Sequence, residues 1–299
     1  MTEPAVKCNK LKATLMHIKY SIVLIFAFTS QSLADSGGLD MRVQNENALS
    51  LKDFNEKYGG WSKAEYKSPD KSFLIYHFPT KTPSEIDVIS STDEDMISPD
   101  KKYILIQRTI TGVMTDEEGN DVDTEQTYCD MLSLVDGCLK NVGSALQCDG
   151  SWAGGKWTPT SENVNGFVFS KSGMPPKTLL SDVSRISSPE ARASALSDLM
   201  FMGIPSYMAC YPPRGNVAEY NDLAYFFSEG GEHLIAMQIY EKLLTLAPDR
   251  IPLKLNVADS LWALGRRDES VNYYVSYRDA LLKKGLGNKV PSRVEKRIK

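Results

Sequence analysis

VAEYNDLAYFFSEGGEHLIAMQIYEKLLTLAPDR, residues 217–250, places small and apolar residues at the spacing of two helices joined by a tight turn. Leu223, Ala224 and Phe227 fall on one face of a first helix, and Ala236, Tyr240, Leu243 and Leu244 on one face of a second. Gly230 and Gly231 supply the turn, and Pro248 closes the second helix. Small side chains at Ala224 and Ala236 let the helices approach closely, and Phe227 and Tyr240 fill the space beside them.

The pattern returns over Ile251 to Lys284. Val257 and Ala258 stand where Leu223 and Ala224 stood, Leu261 where Phe227 stood, Gly265 for Gly231, Ser270 for Ala236 and Tyr274 for Tyr240. Leu282 takes the place of Pro248, so the last helix is expected to run on to Gly285. These paired positions at a 34-residue period resemble the tetratricopeptide (TPR) repeat. The resemblance implies a binding surface on the concave face made by the first helix of each repeat. Tyr220, Asn221, Tyr225, Ser228, Lys254, Asn256, Asp259 and Trp262 are its expected exposed residues. It names no ligand. Two repeats fall short of the three or so that an isolated array needs. The helices from Pro189 and the tail Pro291–Lys299 are therefore expected to cap the stack.

Upstream the period changes. Leu51, Phe54 and Tyr58 have helical spacing before Gly59-Gly60, which predicts a short helix over Ser50 to Tyr58. Ser72 to Pro79 predicts a strand. Ser98-Pro99-Asp100 makes a turn feeding a strand to about Met114, a segment that resembles the opening of a β-propeller blade. Asp116 to Glu125 predicts an acidic hairpin tip, Gln126 to Leu134 the returning strand, and Leu139 to Gln147 a third strand after the turn at Asp136-Gly137. Gly150 to Trp157 reads as a rigid loop, and Gly166 to Phe169 as a last strand. Residues 35–173 are too few for the four or more blades of a closed propeller. Beyond Pro175-Pro176 come helix candidates at Leu179 to Ile186 and from Pro189, the latter with Ser188 as its cap. Tyr211-Pro212-Pro213 reads as a linker.

The expected architecture is α+β: a leader over 1–34, a disulfide-stapled antiparallel β domain over 35–173, a helical cap over 174–216, and a TPR-like helical stack over 217–299. The leader has Lys19, the apolar run Ile22 to Phe28 and the small residues Ser32-Leu33-Ala34, the three-part layout of a secretory signal cut after Ala34. Its run is too short to cross a bilayer, so no membrane anchor is expected after cleavage. Met16 opens a more typical leader than Met1, and both are kept as starts. Cleavage removes four Lys and one Glu and takes the net charge from −4 to −7. That charge argues against nucleic acid as a partner, although Lys283 to Lys299 carries seven basic residues and one Glu.

Cys129, Cys138, Cys148 and Cys210 remain, an even number in an exported chain, and predict two disulfides. The first choice is Cys138–Cys148 with Cys129–Cys210; Cys129–Cys148 with Cys138–Cys210 stands close behind. No metal site is expected, because there is no CxxC pair and no neighbouring histidine.

Chemistry leaves little trace. The only histidines beyond the leader, His77 and His233, have no motif around them, and HExxH, GxSxG and the phosphate loop are missing from the sequence. Asp116 to Glu125 does not match a calcium loop. Trp61, Trp152 and Trp157 offer a glycan platform or, as the better reading, packing over a disulfide. The expectation is a non-enzymatic, cofactor-free periplasmic or secreted module for a protein partner in the cell envelope. Its sharper form is an immunity or inhibitor protein against an envelope-acting toxin. The competing form is an envelope enzyme accessory or peptidoglycan binder working through the β domain.

Overall fold

A computed structural model describes residues 38–42, 46–77, 87–161, 165–171 and 173–299. The leader, and with it the expected cleavage site, lies outside the described residues. Asp35–Lys299 forms one compact unit. Its first part is an antiparallel sheet of β1 (Leu39–Arg42), β2 (Ala48–Asn55), β3 (Gly60–Ser68), β4 (Lys71–His77), β5 (Val88–Ser91), β6 (Tyr103–Thr115), β7 (Asp121–Ser133) and β8 (Leu139–Ser144), in the order β1-β2-β3-β5-β6-β7-β8 with β4 also on β3. A hairpin of β9 (Gly150–Ala153) and β10 (Lys156–Pro159) lies beside it. Eight helices follow: α1 (Pro176–Val183), α2 (Pro189–Leu199), α3 (Gly203–Cys210), α4 (Val217–Glu229), α5 (His233–Leu246), α6 (Ile251–Ala263), α7 (Arg267–Lys283) and α8 (Ser292–Ile298). The α+β class holds.

The two long strands β6 and β7 pair from Tyr103↔Ser133 to Thr115↔Asp121, and residues directly opposite share a face. Ile104, Ile106, Leu132 and Leu134 meet Leu49, Leu51, Ala64 and Tyr66 in a core that continues without a break into Leu179, Leu196, Tyr207, Phe227 and Leu243 of the helices. The opposite face, with Leu105, Cys129 and Met131, is covered by Trp157 and the Cys148 segment. Sheet and helices therefore share one core.

Several local signals act as read. Ser98 Oγ accepts the N–H groups of Lys102 (3.0 Å) and Tyr103 (2.9 Å), which turns the chain into β6. Ser188 Oγ accepts the Ala191 N–H at the start of α2, with Pro189 in the first turn. Gly231 and Gly265 adopt positive φ between the helices of each hairpin. Leu223, Ala224, Phe227, Ala236 and Tyr240 are buried, as are Val257, Ala258, Leu261, Ser270 and Tyr274.

Other expectations are corrected. Ser50 to Tyr58 is no helix: β2 pairs with β1 on one side and β3 on the other, burying Leu49 and Leu51. Phe54, needed for the apolar face of the predicted helix, is 41% exposed. Gly59 (φ 63°) closes a hairpin turn instead of stopping a helix. The loop at Gly150 to Trp157 is the β9–β10 hairpin, the third strand ends at Ser144, and Phe167 makes only a bridge to Trp157.

Helix α3 went unread because Gly203, Pro205 and the following Pro212-Pro213 gave its segment the composition of a linker. It clamps the β7–β8 turn. Ser206 Oγ donates to Gly137 O (2.7 Å) and accepts the Leu139 N–H (3.0 Å). The same docking decides the disulfides, which are Cys129–Cys148 and Cys138–Cys210, not the first choice. Cys138 sits in the turn that α3 holds, 4.7 Å from Cys210 between Cα atoms, while Cys129 faces the other side of the sheet, where Cys148 lies.

Candidate functional site

The eight residues expected on the concave face are mostly engaged within the chain. Tyr220 is fully buried, and its hydroxyl donates to Tyr211 O (2.6 Å). Asn221 is 3% exposed, accepts from Asn256 Nδ2 (3.3 Å) and donates to Asp222 (3.1 Å). Ser228 bonds Ser260 at 2.6 Å. Asp259 receives Tyr274 (2.6 Å), Arg293 (2.8 Å) and Arg297 (2.9 Å), and the guanidinium groups of Arg267 and Arg297 both lie over the Trp262 ring. Lys254 sits 3.9 Å from Asp249. Tyr225 is 43% exposed and donates to Glu229.

The expectation that Tyr220 and Asn221 are exposed is thus overturned. Helix α4 packs against α1, α2, α5 and α6, and α8 brings two arginines onto α6. In a short stack this face is where neighbouring helices close on one another. Burial drives the Tyr220 hydroxyl pKa up, with the neighbouring Tyr207 and Tyr211 adding to it. Tyr274 is pushed up to about 12 by burial and then by Asp259.

An open concavity lies elsewhere, along α3 between strand β4 and helix α5. One chamber, of about 440 Å³, is lined by Leu74 and Ile75 of β4, Met200 and Phe201 after α2, and Ile235 of α5. A second, of about 760 Å³, runs past Phe73, Met208 and Pro212 to the polar rim of Asp136, Lys171 and Lys242. Ile204, Pro205 and Gln238 line both, so the chambers adjoin. Leu74 is 40% exposed at this edge of the sheet. The volumes fit an apolar ligand or an extended peptide stretch. The groove was unreadable in sequence because its three walls come from β4, α3 and α5, far apart in the chain.

Its rim is electrostatically fixed. Burial raises the Asp136 carboxyl pKa, but bonds from Lys171, Ser133 and the Cys138 N–H outweigh it, so the group titrates below its usual range. Lys71 donates to Asp136 O (2.9 Å) and lies over the Tyr66 ring. Lys140 donates to the Tyr211 hydroxyl and lies over its ring. Burial, and then the charge of Lys171, lower its pKa to about 8.

Behind the apolar chamber lies a buried ion pair. Asp130 is fully buried and accepts from Tyr76 (2.5 Å), Arg108 Nε (2.8 Å) and Asn141 Nδ2 (2.8 Å). Burial penalises the Arg108 cation, yet Asp130 and Tyr76 together outweigh it and its pKa is raised. Phe201 packs against the guanidinium at 4.4 Å and also lines the groove. The wall that a ligand would touch is therefore stiffened from behind.

The remaining motifs have structural partners. Trp152 and Trp157 pack edge to face beside the Cys129–Cys148 bridge, and their indole N–H groups donate to Met96 O (3.1 Å) and Gln147 O (2.6 Å). Trp61 is apart from them, against Phe54. Asp93 caps the turn after it by accepting from Asp95 and Met96 N–H. His233 opens α5, half-buried, and burial lowers its pKa. Among the described residues there is no group of three or more acidic, cysteine or histidine side chains that could hold a metal. No helix among them is long and apolar enough to cross a membrane. The sequence matches no protein-family model and no curated protein.

Proposed function

We propose that this chain is an exported, non-enzymatic binding module that holds an apolar segment of an envelope protein in the groove between β4 and α5. The groove itself carries the reading: two adjoining chambers with an apolar floor and a charged rim, braced by Phe201 over Arg108. The two disulfides and the leader-like first 34 residues support an oxidising compartment such as the periplasm. Within this reading the sharper role is that of an immunity or inhibitor protein, which needs a stiff, preformed surface and no chemistry of its own. The glycan-binding reading loses its main support, since Trp157 is buried, Trp152 packs half-buried against it, and both N–H groups are used.

The test is co-purification from envelope extract with Leu74→Asp and Gln238→Arg variants. Both positions lie on the groove surface, so melting temperature should stay at the wild-type value while recovery of a stoichiometric partner falls at least about tenfold, as for loss of a central contact. Replacing Asn221 and Asn256 by Ala should instead lower the melting temperature, because Asn221 is buried and bonded. Undiminished partner recovery with both groove variants would overturn the assignment.

A further inference from the structure

The β6–β7 pair runs on past the strands that flank it. Strand β5 pairs with β6 only between Val88↔Thr109 and Ser91↔Gln107, and β8 pairs with β7 only from Tyr128↔Ser144 onward. Asp87 takes the Thr111 N–H (3.1 Å) where β5 begins. From Asp121 to Thr127, β7 has no second strand neighbour among the described residues.

Register fixes what each face of this ribbon carries. Met114 is opposite Val122, Gly112 opposite Thr124 and Ile110 opposite Gln126, on the face that holds Arg108 and Asp130 further down. Asp121, Asp123 and Glu125 alternate with these on the other face. Met114 is 62% exposed and Val122 46% exposed. Asp121, Asp123 and Glu125 are also exposed; Asp121 accepts from Thr115 Oγ1 (3.4 Å) and Lys57 lies close enough to Asp123 to feel its charge, but none of the three has a direct salt bridge among the described residues. Asp116 at the tip is different: its carboxylate takes the Asn120 and Glu118 N–H groups, so it serves the turn.

We propose that the β7 edge from Asp121 to Thr127 accepts an extended segment of a partner protein as an added strand, one in which basic residues alternate with apolar ones. Strand addition satisfies the open backbone, and the period of two places every basic side chain beside Asp121, Asp123 or Glu125 and every apolar one beside Val122 and the Met114 behind it. A second copy of this chain is the wrong occupant, because it would bring the same carboxylates to the same face, the device by which edges repel their own kind. The ribbon is distinct from the groove, so it stands or falls separately.

The test uses the full chain and a fluorescent peptide alternating Lys and Val, read by anisotropy at low and high salt. Three companion peptides alternate Lys with Ser, alternate Glu with Val, or repeat Lys-Val with N-methylated amides. The Lys-Val peptide is expected to bind about tenfold more tightly than Lys-Ser, and the other two should show no measurable binding. Asp121→Asn with Asp123→Asn and Glu125→Gln should weaken it about tenfold and flatten its salt dependence. Met114→Ser with Val122→Ser should weaken it and leave the salt dependence in place, and Leu74→Asp in the groove should change nothing. Equal binding of the N-methylated peptide would overturn the added strand, since charge alone would then suffice. Wild-type binding by the carboxylate variant, or loss of binding in Leu74→Asp, would overturn the site.

Discussion

Asp130 is the residue on which the inner face of the sheet depends. It is fully buried, and its carboxylate accepts hydrogen bonds from a tyrosine, an arginine and an asparagine. Removing the cation leaves that charge uncompensated, so Arg108→Met should cost about 3–5 kcal/mol in urea denaturation. Adding Asp130→Asn should recover part of the loss; two fully additive penalties would contradict the coupling. Lys140 gives the pH signature. Its folded pKa of about 8 lies below the ordinary 10.5, so between these values the unfolded chain binds the proton more readily than the folded one. Stability from this group therefore increases as pH rises through that window, and the burden is present in full below it. Differential scanning calorimetry from about pH 7.5 to about pH 9 should show the melting temperature rise, and Lys140→Met should flatten the rise. Neither residue stood out in the sequence. Lys140 is one lysine among many until Tyr211 and Lys171 are folded around it.

At the level of elements, α3 is the piece that joins the molecule, through Ser206 on the β7–β8 turn and Cys210 on Cys138. The two bridges close chain segments of 72 and 19 residues. Each doubling of a closed loop adds about 0.6 kcal/mol. Cys138→Ser with Cys210→Ser should thus cost about 1 kcal/mol more than Cys129→Ser with Cys148→Ser. Chemical denaturation of the two double variants checks the order. The helical hairpins were legible from Ala224, Phe227, Ala236 and Tyr240 because their packing is local, within about thirty residues of chain. β2 was misread because Leu51, Phe54 and Tyr58 fit a helix by spacing, while the strand is set by partners on both sides.

For the whole molecule, one core from Leu49 in β2 to Leu261 in α6 predicts one unfolding transition. In a Trp262→Phe variant the three remaining tryptophans all report on the sheet region. Their fluorescence should change at the same temperature as helical circular dichroism; separated midpoints would show that sheet and helices are independent domains. The shared core also explains the groove, since α5 is held at a fixed distance from β4 by α3 packed between them.

The sequence by itself determined the α+β class, the turns at Ser98 and Gly231, the cap at Ser188, the pairing of β6 with β7 and the packing faces of four helices. All of these are signals between residues close in the chain, where backbone sterics and periodicity decide. Only the tertiary structure decided the disulfide partners, the burial of Tyr220 and Asn221, the buried pair of Arg108 with Asp130, and the groove. Each of these depends on surfaces from distant segments meeting, and the free energy that selects among such meetings comes from burial shared by the whole chain rather than from any local run of residues.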